Sequence, residues 1–130
     1  MMNEGSVAAS QLLTVNEIAL LRRALLEWGG PARCSDEIAV GMGFDGAQDL
    51  YNQCHRLRAA LGEDVPILPA DWARTLLATE IVFVSDLAGS GFEWSTTTGF
   101  SDVTTIQTLR AIQRKLATTV RPYYGKRPSA

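Results

Sequence analysis

The chain has 130 residues, 46% of them apolar and 20% charged, a balance that suits one domain with a single core and excludes wholesale disorder. No apolar run reaches the roughly 18 residues that a membrane span needs. The opening MMNEGSVAASQLL also lacks the basic region of a secretory signal, so a cytoplasmic protein with no membrane partner is expected.

Net charge is −2, but fourteen acids and six arginines in residues 1–102 give −8, while residues 103–130 carry six cations and no acid, +6. Such segregation suits either an anionic partner or a basic C-terminal helix lying on the acidic body of its own fold. Two cysteines, Cys34 and Cys54, and one histidine, His55, make a poor ligand set. No metal or other cofactor is expected, and the thiols should stay free.

Residues 1–12 read as a disordered leader, 13–120 as one helical domain and 121–130 as a proline-bounded basic tail. Thr14 is an N-cap, Glu17 completes a capping box, and Leu13 and Ile18 take the staple positions. Ile18, Leu21, Leu25 and Trp28 then recur at the three-and-four spacing of a buried helical stripe, ended by Gly29-Gly30-Pro31. Ser35 caps a short second helix, with Asp36 and Glu37 in the first turn, where the helix dipole favours acids. Ile38, Ala39 and Met42 form its apolar side and Gly43 closes it. After Phe44-Asp45-Gly46 a third helix spans about residues 47–61 on the stripe Leu50, Cys54, Leu57 and Leu61, with Gly62 as its C′ residue.

Residues 63–70 contain two prolines and read as a connection. From Asp71-Trp72 onward apolar residues fall on two sides, Trp72, Leu76 and Phe83 on one and Leu77, Ile81 and Val84 on the other, as in a helix central to a core. The alternative is a strand at 81–84 paired with 92–98, a small β-hairpin within 81–98. Residues 86–100, rich in Gly, Ser and Thr, read as a long ordered loop. Ser101 caps a last helix whose buried stripe is Ile106, Leu109, Ile112, Leu116 and Val120, with Arg110, Arg114 and Arg121 opposite. The expected fold is all-α with about five helices, the first three arranged as a helix-turn-helix.

Catalytic chemistry is thin. Gly89-Ser90-Gly91 lacks the lysine and the strand-to-helix setting of a phosphate loop. Asp86 and Glu93 are candidate paired carboxylates, but nothing places a substrate between them. Cys54 and His55 are sequence neighbours that diverge by about 100° on a helix, so they form no nucleophile–base pair. No catalytic residue is assigned, and a binding protein is expected rather than an enzyme. Trp28 and Trp72 lie on apolar stripes and belong to the core. Trp94, in a polar stretch, is either a lid of the core or an anchor for a protein partner.

At the level of individual residues, 13–64 resembles the response-regulator class of winged-helix DNA-binding domains. Leu13-Thr14, Glu17 and Leu20-Leu21 are similar to the opening of that family's first helix, and Ser35, Glu37 and Ile38 to the start of its second. Leu50, Cys54, Arg56-Leu57-Arg58, Leu61-Gly62 and Asp64 are similar to its arginine-rich recognition helix. Ile38-Ala39 followed by Gly43-Phe44 also resembles the second helix of arabinose-regulator-type activators. The likeness stops at 64, where prolines follow in place of the family's wing.

The resemblance implies a DNA-binding transcriptional regulator that reads bases through the third helix. Gln48, Asn52, Gln53, His55 and Arg56 would then face base edges, Gln and Asn suiting adenine and Arg suiting guanine. Arg22, Arg23, Arg33 and Arg58 would hold phosphates, with Arg110 and Arg114 adding phosphate contacts or a homodimer surface. The alternative function is a protein–protein interaction module, an adaptor or immunity-type protein. It would engage an acidic partner through Asp86, Ser90, Phe92, Glu93 and Trp94 together with the face of Arg110, Arg114 and Arg121.

Overall fold

The computed structural model describes residues 5–29, 32 and 34–125, with Phe92 described by its backbone alone. Among these the fold is all-α: α1 Val15–Glu27, α2 Asp36–Gly41, α3 Ala47–Glu63, α4 Pro69–Val84, α5 Trp94–Thr98 and α6 Asp102–Val120. No helix among the described residues is long and apolar enough to cross a membrane.

Three helix starts follow from their caps. The Thr14 hydroxyl accepts the Glu17 N–H, and the Glu17 carboxylate accepts the Thr14 N–H at 2.9 Å. Ser35 and Ser101 accept from Ile38 and Thr104 in the same way. Each cap satisfies a donor that has no partner inside its helix. α4 starts two residues before Asp71, because Pro69 in the first turn has no N–H to satisfy and a φ already set for a helix.

α3 runs past Gly62 to Glu63, and its left-handed terminal residue is Asp64, φ 58°. Asp64 is held there by its carboxylate, which accepts the Ser10 N–H at 2.9 Å and the Ser10 hydroxyl at 2.5 Å. Gly62 answers a different need. The Arg22 guanidinium lies over it so closely that a Cβ would stand 2.9 Å from Cζ.

α1 sits at the centre, packed against α3, α4 and α6. Arg22 faces α3, donating to the Arg58 carbonyl at 3.2 Å; Glu17 faces α6, accepting from Lys115 at 2.8 Å. The Trp28 indole donates to the Ala78 carbonyl of α4 at 3.1 Å. α2 packs on α3, while the principal neighbours of α6 are α4 and α1. α3 with α2 therefore lies on one flank of the α1–α4 pair and α6 on the other. The core between them holds Leu21, Leu25 and Trp28, Leu50 and Leu57, Trp72, Leu76 and Val82, and Ile112 and Leu116.

The hairpin alternative is corrected. Residues 81–84 close α4, and 91–98 form a 3-10 turn, Gly91–Glu93, that runs into α5. Burial of Trp72, Leu76, Ala78, Val82 and Phe83 in a helix packed on both α1 and α6 overrides the β preference of Ile81-Val82-Phe83-Val84. The stretch 86–100 is accordingly not a loop throughout.

The leader expectation is also corrected over residues 5–12. Val7 and Ile67 exchange both backbone hydrogen bonds at 3.0 Å, the Trp72 indole donates to the Val7 carbonyl, and Ala9 is fully buried. Residues 1–4 lie outside the described residues. In the tail, Arg121–Tyr123 form a 3-10 turn. On α6 Thr105, not Ile106, takes the buried place, its hydroxyl accepting from the Trp94 indole at 2.8 Å and donating to the Ser101 carbonyl at 2.7 Å.

Candidate functional site

Three surfaces were expected to carry function, and the fold treats them differently. The stripe Leu50, Cys54, Leu57 and Leu61 buries one side of α3, which turns Gln48, Asn52, His55 and Arg56 outward; Gln53 is half-buried. Gln48, Asn52, Gln53 and Arg56 are engaged with neighbouring side chains. Gln48 donates to Asn52 at 3.1 Å, Gln53 to Asp49 at 3.3 Å, and Arg56 to Gln53 at 2.7 Å. Arg56 also pairs with Asp71 at 3.0 Å, and Arg74 pairs with the other oxygen of the same carboxylate at 3.0 Å.

The start of α3 is acidic. The Asp36 carboxylate accepts the Ala47 N–H at 2.8 Å, and Asp49 accepts the Asp45 N–H at 3.0 Å. That backbone donor, with Gln53, holds the Asp49 carboxyl below its ordinary range. Asp45, Asp49, Gln53, Arg56, Asp71 and Arg74 line a polar hollow of about 250 Å³ in which three carboxylates face two guanidiniums.

The arginines expected on phosphates are not brought to one surface. Arg22 lies across Gly62. Arg23 pairs with Glu27 at 3.2 Å and donates to the Thr97 carbonyl. Arg58 is half-buried, and its Nε has no hydrogen-bond partner among the described residues. Arg33 lies outside the described residues. Arg110 and Arg114 stand on α6, across the α1–α4 pair from α3.

The expected partner-binding stretch is divided, with Ser90 and Trp94 turned inward and Asp86 and Glu93 left in solvent. Trp94 is buried, edge-on to Phe83 at 5.5 Å between ring centroids and stacked on Phe100. The Ser90 hydroxyl is buried too, donating to Glu27 at 2.7 Å, and the Thr97 hydroxyl donates to the same carboxylate oxygen at 2.8 Å. Ser90 and Trp94 therefore face inward as lids of the core, because the ring needs apolar cover and its N–H finds Thr105. Asp86 and Glu93 remain exposed; the Phe92 side chain lies outside the described residues.

Glu27 is the residue that sequence reasoning missed. It is 2% exposed and ties α1 to residues 90–97. Its place beside Trp28 on the apolar stripe, four residues after Arg23, was the available signal for a buried, paired carboxylate.

α6 is the remaining surface. Its buried stripe leaves Val103, Gln107, Arg110, Arg114 and Arg121 along the outer face, all exposed. Lys115, one residue from Arg114, turns instead to α1, where both oxygens of Glu17 accept from it at 2.8 and 2.9 Å. Burial alone would push the Glu17 carboxyl up; Lys115 and the Thr14 N–H outweigh it and hold the group below its ordinary range. Arg110 donates to Gln113, Gln113 to Glu80 at 2.7 Å, and the Tyr124 hydroxyl to the other Glu80 oxygen at 2.9 Å. Among the described residues neither Arg110, Arg114 nor Arg121 has a carboxylate partner.

Comparison with family models, with curated proteins and with solved structures finds no match for this chain. Among the described residues no group of three or more His, Cys, Asp or Glu side chains gathers that could hold a metal ion.

Proposed function

We propose that the chain is a protein-interaction module and that the outer face of α6 is its working surface, engaging an acidic protein partner. Three exposed arginines without a carboxylate partner among the described residues, on a segment with no acidic side chain from 103 onward, carry this reading. Arg110 to Arg121 span roughly 16 Å along the helix, at 1.5 Å per residue. Single exposed ion pairs contribute about 0–1 kcal/mol, but complementary fields steer association, and bidentate arginine–carboxylate pairs strengthen once water is excluded. Val103 and Ile106 extend the same helix with exposed apolar surface, for which a sugar–phosphate backbone has little counterpart and a protein has much.

The test is a photo-crosslinking residue at Gln107 in cells that express the chain natively, followed by binding measurements on the purified captured protein. The expected result is one acidic protein, bound with an affinity that falls with salt and drops at least tenfold in Arg110→Glu/Arg114→Glu. Unchanged affinity in that double variant would refute the proposal.

DNA binding through α2 and α3 is the second reading. It is favoured by the five-residue connection 42–46 between them and by the shared outward face of Gln48, Asn52 and His55. Asp36, Asp45 and Asp49 at the start of α3 oppose the approach of phosphates, which supply most of the affinity for a duplex. Titration against pooled duplex fragments at several salt concentrations tests it. Salt-sensitive binding lost in Arg56→Ala would favour this reading over the first.

A further inference from the structure

The connection from α4 to the 3-10 turn is tightly held, yet it keeps a leucine in solvent. The Ser85 hydroxyl accepts the N–H groups of Leu87 and Ala88, at 3.3 and 3.0 Å, and the Ser85 carbonyl accepts that of Gly89. The Val82 carbonyl accepts the Ser90 N–H at 2.7 Å, and the Ser90 side chain is fixed by Glu27. The turn lies so close on the end of α4 that a Cβ at Gly89 would stand 2.5 Å from the Val82 carbonyl oxygen, and one at Gly91 would overlap Asp86. At its tip Leu87 is 97% exposed.

Leu87 has apolar company. α4 and α6 run antiparallel, since Glu80 meets Gln113 in mid-helix while Trp94 joins Phe83, near the end of α4, to Thr105, near the start of α6. Val84 (68% exposed), Val103 (69%) and Ile106 (42%) therefore lie toward the same end of the α4–α6 pair as Leu87. Arg110, Arg114 and Arg121 run on from that end. Scattered exposed apolar residues are ordinary; four at the head of a basic stripe, one on a fixed turn, form a patterned surface. A turn already held in its bound shape loses little conformational freedom on association.

We propose that Leu87, with Val84, Val103 and Ile106, anchors a protein segment that continues along α6 with carboxylates facing Arg110, Arg114 and Arg121. The partner is thus an acidic amphipathic segment, apolar at one end, laid over about 27 Å of α6. This rests on the reading of α6 as the docking face.

The experiment uses the full chain in its native cells, with a photo-crosslinking residue at Asp86 in one sample and at Gln107 in another. Both positions should capture the same protein. For that purified protein, Leu87→Ser should weaken binding fivefold or more with its salt dependence kept, whereas Arg110→Glu/Arg114→Glu should weaken it and flatten the salt dependence. Leu87 is solvent-exposed, so an unchanged Tm serves as the folding control for Leu87→Ser. A smaller loss in Leu87→Ser, with the arginine variant impaired, overturns the anchor and leaves the docking face standing. Capture at neither position, or of nucleic acid, lipid or a second copy of the chain, overturns both.

Discussion

Glu27 offers the sharpest test of how the fold holds residues 86–98. Its carboxylate is almost fully buried and receives Ser90 at 2.7 Å, Thr97 at 2.8 Å and Arg23 at 3.2 Å. Glu27→Gln keeps the volume but removes the charge and turns an amide N–H toward the Arg23 guanidinium. Each charge-assisted bond that becomes neutral weakens by about 1 kcal/mol, for a gross loss of about 3. Two effects reduce it: Arg23 is 35% exposed, so water takes up part of its charge, and a neutral amide is cheaper to bury than a carboxylate.

The expected net loss is about 2 kcal/mol, a Tm fall of about 8 °C for a chain of this length. Glu27→Ala also strands two hydroxyls and opens a void, and should lose about 4 kcal/mol. Urea unfolding followed by tryptophan emission is the assay. Trp28, Trp72 and Trp94 are all buried, so even local release of residues 86–98 shifts the emission to the red. Exchange of the Ser90 amide, bonded to Val82, should quicken in step. A Glu27→Gln protein within about 0.5 kcal/mol of the parent, with that amide still protected, would refute the idea that this carboxylate fixes the segment.

Three further outcomes are expected. Gly89→Ala places a methyl against the Val82 carbonyl at 2.5 Å and should lower stability by about 1–3 kcal/mol, read by thermal unfolding. The Glu17 carboxyl is held down in the folded state, so its contribution is complete above the ordinary glutamate pKa of about 4.3 and disappears as pH falls through the lower folded value. Glu17→Gln should therefore flatten the acid limb of a stability–pH curve and leave its shape near neutrality unchanged. Burial pushes the Cys54 thiol up to about 12, so at pH 8 a thiol reagent should modify half-buried Cys34 in the folded protein and reach Cys54 only at the rate of unfolding. Because unfolded Cys54 ionises near pH 8.5, stability tied to it should fall as pH rises from there toward 12.

The helices were legible wherever a cap and a periodic stripe coincide. Thr14 with Glu17, Ser35 and Ser101 all cap as their sequence positions imply, and every member of the Leu50–Leu61 stripe is buried. Legibility failed where a partner distant in sequence decides the outcome. Ile106 looked interior by spacing, but Trp94 reaches for a hydroxyl, and α6 is rotated so that Thr105 meets it. Gly62 looked like a helix terminus, yet it makes room for Arg22 while Asp64 ends α3 with the help of Ser10. Ser90 looked available to a partner because its neighbours are polar, and Glu27 draws it inward instead; Trp94, open to either a lid or an anchor, is the lid. Each correction traces to a pairing across 11 or more residues, which no local pattern encodes.

The same logic separates the two candidate surfaces. On the α3 side most cations are used internally: Arg56 and Arg74 share Asp71, and Arg22 lies over Gly62 and bonds the Arg58 carbonyl, while half-buried Arg58 has no ion pair among the described residues. A ligand there would have to break those contacts before making its own, and would meet Asp45 and Asp49 on the way. Of the carboxylates beside α6, Glu17 is satisfied by Lys115 and Glu80 by Gln113 and Tyr124, and exposed Asp102, in the first turn of the helix, pairs with none of the three arginines among the described residues. Among the described residues the arginines of the outer face have one side-chain partner, the Gln113 amide. A surface whose charge is unspent inside the fold gains most from a partner, and α6, with three exposed arginines, has more of that property than α3. Reversing Arg110 and Arg114 should accordingly leave Tm within about 2 °C, a change of roughly 0.5 kcal/mol, since it breaks no internal ion pair among the described residues. A larger fall would mean that these arginines already have work inside the fold and would remove the ground for a partner on α6.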